Sequence, residues 1–140
     1  GKTRFWEHNS SMTLQPGNEL NLTKPSRFLS SEGWAKKPSE QGTELSGQGG
    51  LYFVLPKQQA QPEQLTIQAR INSPQAGTLL KVALGHDFTT TVKLAKAGIN
   101  EIRLNLPGDS LTADPKHPNF LALSAPTPLN VQSVRLTVAQ

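Results

Sequence analysis

The 140-residue sequence contains no cysteine, which excludes disulfide bonds, thiol catalysis and cysteine-ligated metal sites. Charged residues make up only 17% of the chain and aromatic residues only 6%. Charge-rich helices and thick apolar helical stripes are therefore both disfavoured, and a turn-rich β domain is expected. No apolar run approaches the roughly 20 residues that a membrane-spanning helix needs, so the domain itself is not expected to span a membrane. The opening Gly1-Lys2-Thr3 is typical of the start of a mature or excised segment.

The charge that is present has a net value of +4. A nucleic-acid-binding domain concentrates Lys and Arg on one face, interleaved with aromatic residues. Here these residues are scattered, and the densest group is Lys36-Lys37. The pattern indicates a solvated surface and no nucleic-acid partner, while leaving open a mild attraction to anionic glycans or lipid head groups.

Alternating apolar and polar residues fill the second half of the chain, which is the period of a half-buried strand. The pattern predicts strands over 51–55, 65–71, 80–84, 88–94, 102–106, 119–124 and 133–138. Weaker candidates lie at 3–7 and 19–23, within a less regular segment 1–26. With no helical periodicity anywhere, we predict an all-β fold, a single antiparallel β-sandwich of jelly-roll type with about eight or nine short strands over residues 1–140.

The alternation also predicts which side chains form the core. The inward set comprises Leu51, Phe53, Ile67, Val82, Phe88, Val92, Leu104 and Leu136. Outward positions are Gln, Thr, Lys, Arg, Glu and Asn, with Tyr52 as the exception. Because a sheet face with few rings offers little for a sugar to stack on, a ligand site is expected at the loops.

Catalytic patterns are missing from the sequence. The histidines lie in separate polar segments, at His8, His86 and His117. Three aspartates fall in turns, where aspartate caps its own backbone, namely Asp87, Asp109 and Asp114. There is no nucleophile elbow, zinc-binding helix pattern or phosphate loop, and no Asp-x-Asp cluster for calcium. We therefore expect no enzymatic activity, no catalytic residues, no metal site and no cofactor.

Trp34 stands in a polar, glycine-broken stretch just before the first strong strand. Two interpretations are open: the ring closes one end of the core, or it is an exposed platform for a ligand. In the second case Glu32, Lys36 and Asn130 would offer hydrogen bonds to hydroxyls or anionic substituents.

The segment Ser31-Glu32-Gly33-Trp34, the glycines of 47–50 and the strand 51–56 together resemble a β-sandwich accessory domain. That domain is attached to bacterial membrane enzymes of surface and periplasmic glycans, such as phosphoglycerol transferases and polytopic glycosyltransferases. The resemblance covers about residues 27–140, and Trp34 and Glu32 map onto its motif. The family usually carries a second Trp where this chain has Lys36-Lys37, which favours the core interpretation of Trp34.

The sequence thus predicts a noncatalytic, extracytoplasmic and periplasmic domain that recognises or positions a bacterial glycan. Its partners would be that glycan or the membrane or enzymatic part of its parent protein. The alternative is a structural or protein-interaction module without a sugar ligand.

Overall fold

The structure is a computed structural model that describes residues 11–15, 18–56, 61–114 and 116–139. Its strands are β1 (Met12–Thr13), β2 (Glu19–Asn21), β3 (Thr43–Val54), β4 (Gln64–Ser73), β5 (Thr78–Leu84), β6 (Phe88–Leu94), β7 (Gly98–Pro107) and β8 (Asn119–Ala139). A 3-10 turn, Gly108–Ser110, follows β7. Over these ranges no helix has the length and apolar character needed to cross a bilayer.

The long strand β8 belongs to both layers of the sandwich. Its first part, around Leu121–Ser124, lies between β3 and β5, and its later part, Ser133–Arg135, lies between β4 and β2. One layer is therefore β1-β3-β8-β5-β6 and the other is β2-β8-β4-β7. Every pairing is antiparallel except the two-residue contact of β1 with β3. The predicted antiparallel, jelly-roll-like β-sandwich is confirmed.

The prediction of separate strands at 119–124 and 133–138 was wrong, since one strand runs through both. Pro126 and Pro128 lie between them and lack the N–H that a ladder requires. The register of β3 with β8 shifts opposite these prolines, between Leu45 and Gly47. The two prolines, which cannot donate to the ladder, therefore lie where the pairing of β3 with β8 is already interrupted. β8 passes from one layer to the other at this point as one continuous strand.

The core lies between the two layers. Five of the expected core residues are at most 2% exposed: Leu51, Phe53, Ile67, Val82 and Leu136. Phe88 and Val92 on β6 and Leu104 on β7 are only half-buried, against expectation. The reason is that, among the described strands, β6 pairs only with β5 and β7 only with β4, so each is an edge strand whose side chains are covered less fully.

The N-terminal segment contributes to this core. The weaker strand candidate at 19–23 forms β2, and Leu20 and Leu22 are buried. Thr43 Oγ1, itself buried, donates to the Leu22 carbonyl at 2.7 Å and ties this segment to β3. The candidate at 3–7 lies outside the described residues.

Candidate ligand-binding site

The segment before β3 is bonded along the edge of that strand. The Ser30 N–H donates to the Gly50 carbonyl at 2.7 Å, and the Tyr52 N–H donates to the Phe28 carbonyl at 3.0 Å. The Gly50 N–H in turn donates to Ser30 Oγ at 2.9 Å. The strand edge therefore holds the segment from Phe28 onward in a defined position beside the outer face of this layer.

Trp34 is half-buried and packs against the hydrophobic core. Its Nε1–H donates to the Gly50 carbonyl at 3.0 Å, so the polar atom of the ring is satisfied within the fold. A Cβ at Gly49 would lie 2.7 Å from that Nε1 atom. Gly33 has φ of +90°, and a Cβ there would lie 2.1 Å from the Gln48 carbonyl oxygen. These glycines permit the close approach, and the geometry supports the interpretation of Trp34 as a cover of the core.

Two aromatic rings form a pair on the outer face of the same layer. Tyr52 on β3 and Phe120 on β8 are cross-strand partners, and their ring centroids are 4.7 Å apart at an interplanar angle of 39°. Both rings are half-buried. A Cβ at Gly50 would lie 2.5 Å from Phe120 Cζ, so the glycine leaves room for this ring beside Tyr52.

Of the two rings, the alternation predicted only Tyr52 as outward, and Phe120 was not predicted. The signal was nevertheless present in the sequence. Leu121 and Leu123 are buried, and strand alternation then places Phe120 on the opposite face. What the sequence did not contain was the pairing of β3 with β8 that sets the two rings side by side.

A hollow of about 190 Å³ opens beside this pair. It is lined by Ser30, Ser31, Glu32, Gln48, Gly49, Tyr52 and Phe120. Its lining combines ring surface with hydroxyl, amide and carboxylate groups. Apolar surface with a few convergent polar groups is the usual chemistry of a small-ligand site.

The four predicted site residues are not gathered at one place. Glu32 lines the hollow, and Trp34 contacts the β3 backbone next to it. Lys36 is exposed and comes just after Ala35, whose N–H donates to the Glu44 carbonyl. Asn130 is the cross-strand partner of Glu44 on β8. The structure thus brings Glu32 to the hollow and places Lys36 and Asn130 beyond it.

Asp114 and His117 contact each other within one turn. His117 Nδ1 lies 2.8 Å from Asp114 Oδ2, and both side chains are exposed. The Lys116 backbone N–H, and next the His117 side chain, donate to the Asp114 carboxylate and lower its pKa. The expected role of Asp114 in capping a turn is confirmed. In the parts of the chain that are described, no three His, Cys, Asp or Glu side chains are placed to hold a metal ion.

No protein-family model matches the sequence, and no curated protein matches it. Solved structures do match. A family 6 carbohydrate-binding module of the laminarinase LamC from Zobellia galactanivorans superposes with a TM-score of 0.56 at 14% identity, over 86% of this chain and 99% of that one. The chain has the β-sandwich fold of carbohydrate-binding modules.

Further structures show the same fold. A family 6 module from Cellvibrio mixtus lichenase 5A, solved in complex with cellotriose, has a TM-score of 0.55 at 11% identity, with coverage of 88% and 98%. A family GH115 4-O-methyl-α-glucuronidase with specificity for decorated arabinogalactans matches with a TM-score of 0.56 at 12% identity over 90% of this chain. The chain spans only 18% of that enzyme, so the likeness concerns one portion of it.

Proposed function

We propose that residues 1–140 form one noncatalytic domain that recognises a glycan and positions it for an attached or partner enzyme. The observation that carries this proposal is the hollow beside Tyr52 and Phe120, on a sandwich that shares its fold with carbohydrate-binding modules. The fold supplies a rigid support, and the hollow supplies the chemistry that a sugar requires.

In this mechanism the paired rings of Tyr52 and Phe120 contact the apolar C–H face of one sugar ring. Glu32, Ser31 and Gln48 at the rim accept or donate hydrogen bonds to its hydroxyls. Trp34 acts indirectly. Its Nε1–H donates to the Gly50 carbonyl and so fixes the position of the strand that carries Tyr52.

Lys36 and Asn130 extend the proposal to a longer ligand. Both lie near Glu44, farther along β3 from the hollow, and Lys36 is exposed. A glycan that continues past the aromatic pair would meet these polar groups, with Lys36 suited to an anionic substituent.

The cellular setting is also part of the proposal. The Gly33-Trp34 segment and the strand ending at Pro56 resemble accessory domains of bacterial membrane enzymes that handle surface and periplasmic glycans. We therefore place the domain outside the cytoplasm, in the periplasm, next to the membrane or enzymatic part of its parent protein. It needs no cofactor and contacts no nucleic acid in this role.

Phe120→Ala should weaken glycan binding about tenfold, since a stacked ring contributes about 1–1.5 kcal/mol. The fold should survive, because Phe120 is half-buried and lies on the outer face. The measurement is titration calorimetry against a panel of neutral periplasmic and cell-surface glycans, with a melting curve for each protein. Leu79→Ala is the matched control, because Leu79 is an exposed apolar residue on β5 in the same layer. Equal losses in both variants, or unchanged binding by Phe120→Ala, would contradict the proposed site.

The purified chain should also leave every glycan of that panel intact. Product analysis by chromatography after long incubation measures this. Release of shorter sugars that disappears when Asp114 or His117 is replaced would overturn the noncatalytic assignment.

A further inference from the structure

The outer face of the second layer is a polar groove of about 530 Å³, formed by β2, β8, β4 and β7. The strand register sets its side chains in two rows. These rows are Glu19-Arg135-Gln68-Arg103 and Asn21-Ser133-Arg70-Glu101. The two rows lie on four strands of the sandwich, which hold their side chains at fixed spacing, and Thr23 in the turn after β2 completes the lining.

Three arginines surround one amide in this groove. Arg135 and Arg103 flank Gln68 from the neighbouring strands, and Arg70 lies two residues farther along β4 on the same face. Neighbouring strands are about 4.8 Å apart, so the backbones of Arg135 and Arg103 are separated by roughly 10 Å. Side chains as long as arginine reach across half that distance, and all three guanidinium groups are therefore able to approach one bound group.

These guanidinium groups have N–H donors that the described side chains do not use. Arg135 Nη2 lies 3.8 Å from Glu19 Oε2, a loose ion pair between two partly exposed side chains. The Nε of Arg135 is buried and has no hydrogen-bond partner among the described residues. Within the same ranges, neither Arg70 nor Arg103 has a carboxylate oxygen within 4.0 Å. The Nη groups of these arginines therefore keep N–H donors that no described carboxylate occupies, and a ligand in the open groove can accept hydrogen bonds from them.

We propose that this groove binds a glycan that carries uronic acid units. A carboxylate is planar and accepts two parallel N–H donors from a guanidinium group, which is the geometry that arginine offers and lysine does not. The groove holds three arginines against two glutamates, a formal charge of +1. So small an excess suits a glycan with at most one carboxylate on each sugar and disfavours a polysulfated chain, whose denser charge Glu19 and Glu101 would repel.

The remaining lining fits the hydroxyls of such a glycan. It supplies neutral amide and hydroxyl groups, from Asn21, Thr23, Gln68, Gln132 and Ser133. These groups both donate and accept, as sugar hydroxyls do. A protein partner would require an apolar anchor. The large exposed apolar residue found in the described chain is Leu79, on the other layer.

This site is distinct from the hollow beside Tyr52 and Phe120. The two lie on the opposite outer faces of the sandwich, and one uses ring surface while the other uses charge and hydrogen bonds. The groove is therefore a second site beyond the proposed function, and the test of its binding does not depend on the test of the hollow.

The double variant Arg70→Gln with Arg103→Gln tests the groove. The probe pair is polygalacturonic acid and its fully methyl-esterified form, which share a backbone and differ in the carboxylate charge. The wild-type chain should bind the acid at least tenfold more tightly than the ester, and the double variant should lose about tenfold or more of that affinity. Binding should also weaken as salt is raised, because the groove is open to solvent. Affinity electrophoresis followed by titration calorimetry gives these values.

The matched control is Lys81→Gln with Lys93→Gln, which removes the same charge from the outer face of β5 and β6. It should leave binding of polygalacturonic acid unchanged. Equal loss in both double variants, equal binding of acid and ester, no binding of the acid, or preference for dextran sulfate would each overturn the proposal. Neutral-glycan binding should weaken in Phe120→Ala and be kept in the arginine variant, so failure at one site is distinguishable from failure at the other.

Discussion

Val82→Asp should leave the chain unfolded. Val82 is fully buried on β5 and lies between Thr90 of β6 and Leu123 of β8. An isolated carboxylate in that position has no partner for its charge, and the penalty of several kcal/mol is comparable with the whole stability of a typical domain. Far-UV circular dichroism and the soluble yield after expression measure the outcome.

Lys81→Asp is the control for this substitution. Lys81 is the preceding residue on β5 and is exposed on the outer face, so the same new side chain remains in water. This variant should fold, with a stability change within about 0.5 kcal/mol. A soluble, β-structured Val82→Asp protein would contradict the assignment of β5 to the interior of the sandwich.

Trp34→Ala is the second substitution with a large expected effect. Removing a buried aromatic side chain costs about 3–5 kcal/mol, and the half-buried position of Trp34 places its loss at the lower end, about 3 kcal/mol. For a domain of this size we expect a Tm lower by about 10 °C. Differential scanning calorimetry of the purified protein measures this shift.

Trp34→Phe separates the ring from its N–H. It keeps most of the apolar contact and removes the donor to the Gly50 carbonyl, which retains its bond from the Ser30 N–H. We expect a smaller loss, of about 1 kcal/mol. An unchanged Tm in Trp34→Ala together with lost glycan binding would instead show that the ring is an exposed platform.

The strands were predictable because they depend on local alternation. The pattern of apolar and polar residues from Leu51 onward reproduces β4, β5, β6 and β7 closely. The same reasoning began β3 too late, at residue 51, since the glycines at 47–50 were taken for loop. They are strand positions, and two of them, Gly49 and Gly50, admit the rings of Trp34 and Phe120. A glycine needed for close packing looks, in sequence, the same as a glycine needed for a turn.

The candidate sites were less predictable because they depend on which strands become neighbours. Tyr52 and Phe120 are far apart in the chain, and only the register of β3 with β8 pairs them. Arg70, Arg103 and Arg135 lie on three different strands and looked like scattered charge. Sequence spacing carries no information about such cross-strand rows, and so the polar groove was not anticipated. Glu32 was named because it lies close to Trp34 in the sequence, and it lines the hollow.

The place of β8 in both layers also determines when this domain can form. This strand pairs with β2, β3, β4 and β5, and it is the last of the described strands to leave the ribosome. Among the described strands, β8 is the antiparallel neighbour of β3 and the only partner of β2, so both stay unpaired on these edges until it emerges. In the nascent chain these strand edges therefore remain unpaired, and they can pair wrongly with other chains. Folding of the sandwich is thereby tied to the synthesis of β8, and a chaperone that covers these edges would have its greatest effect just before residue 119 appears.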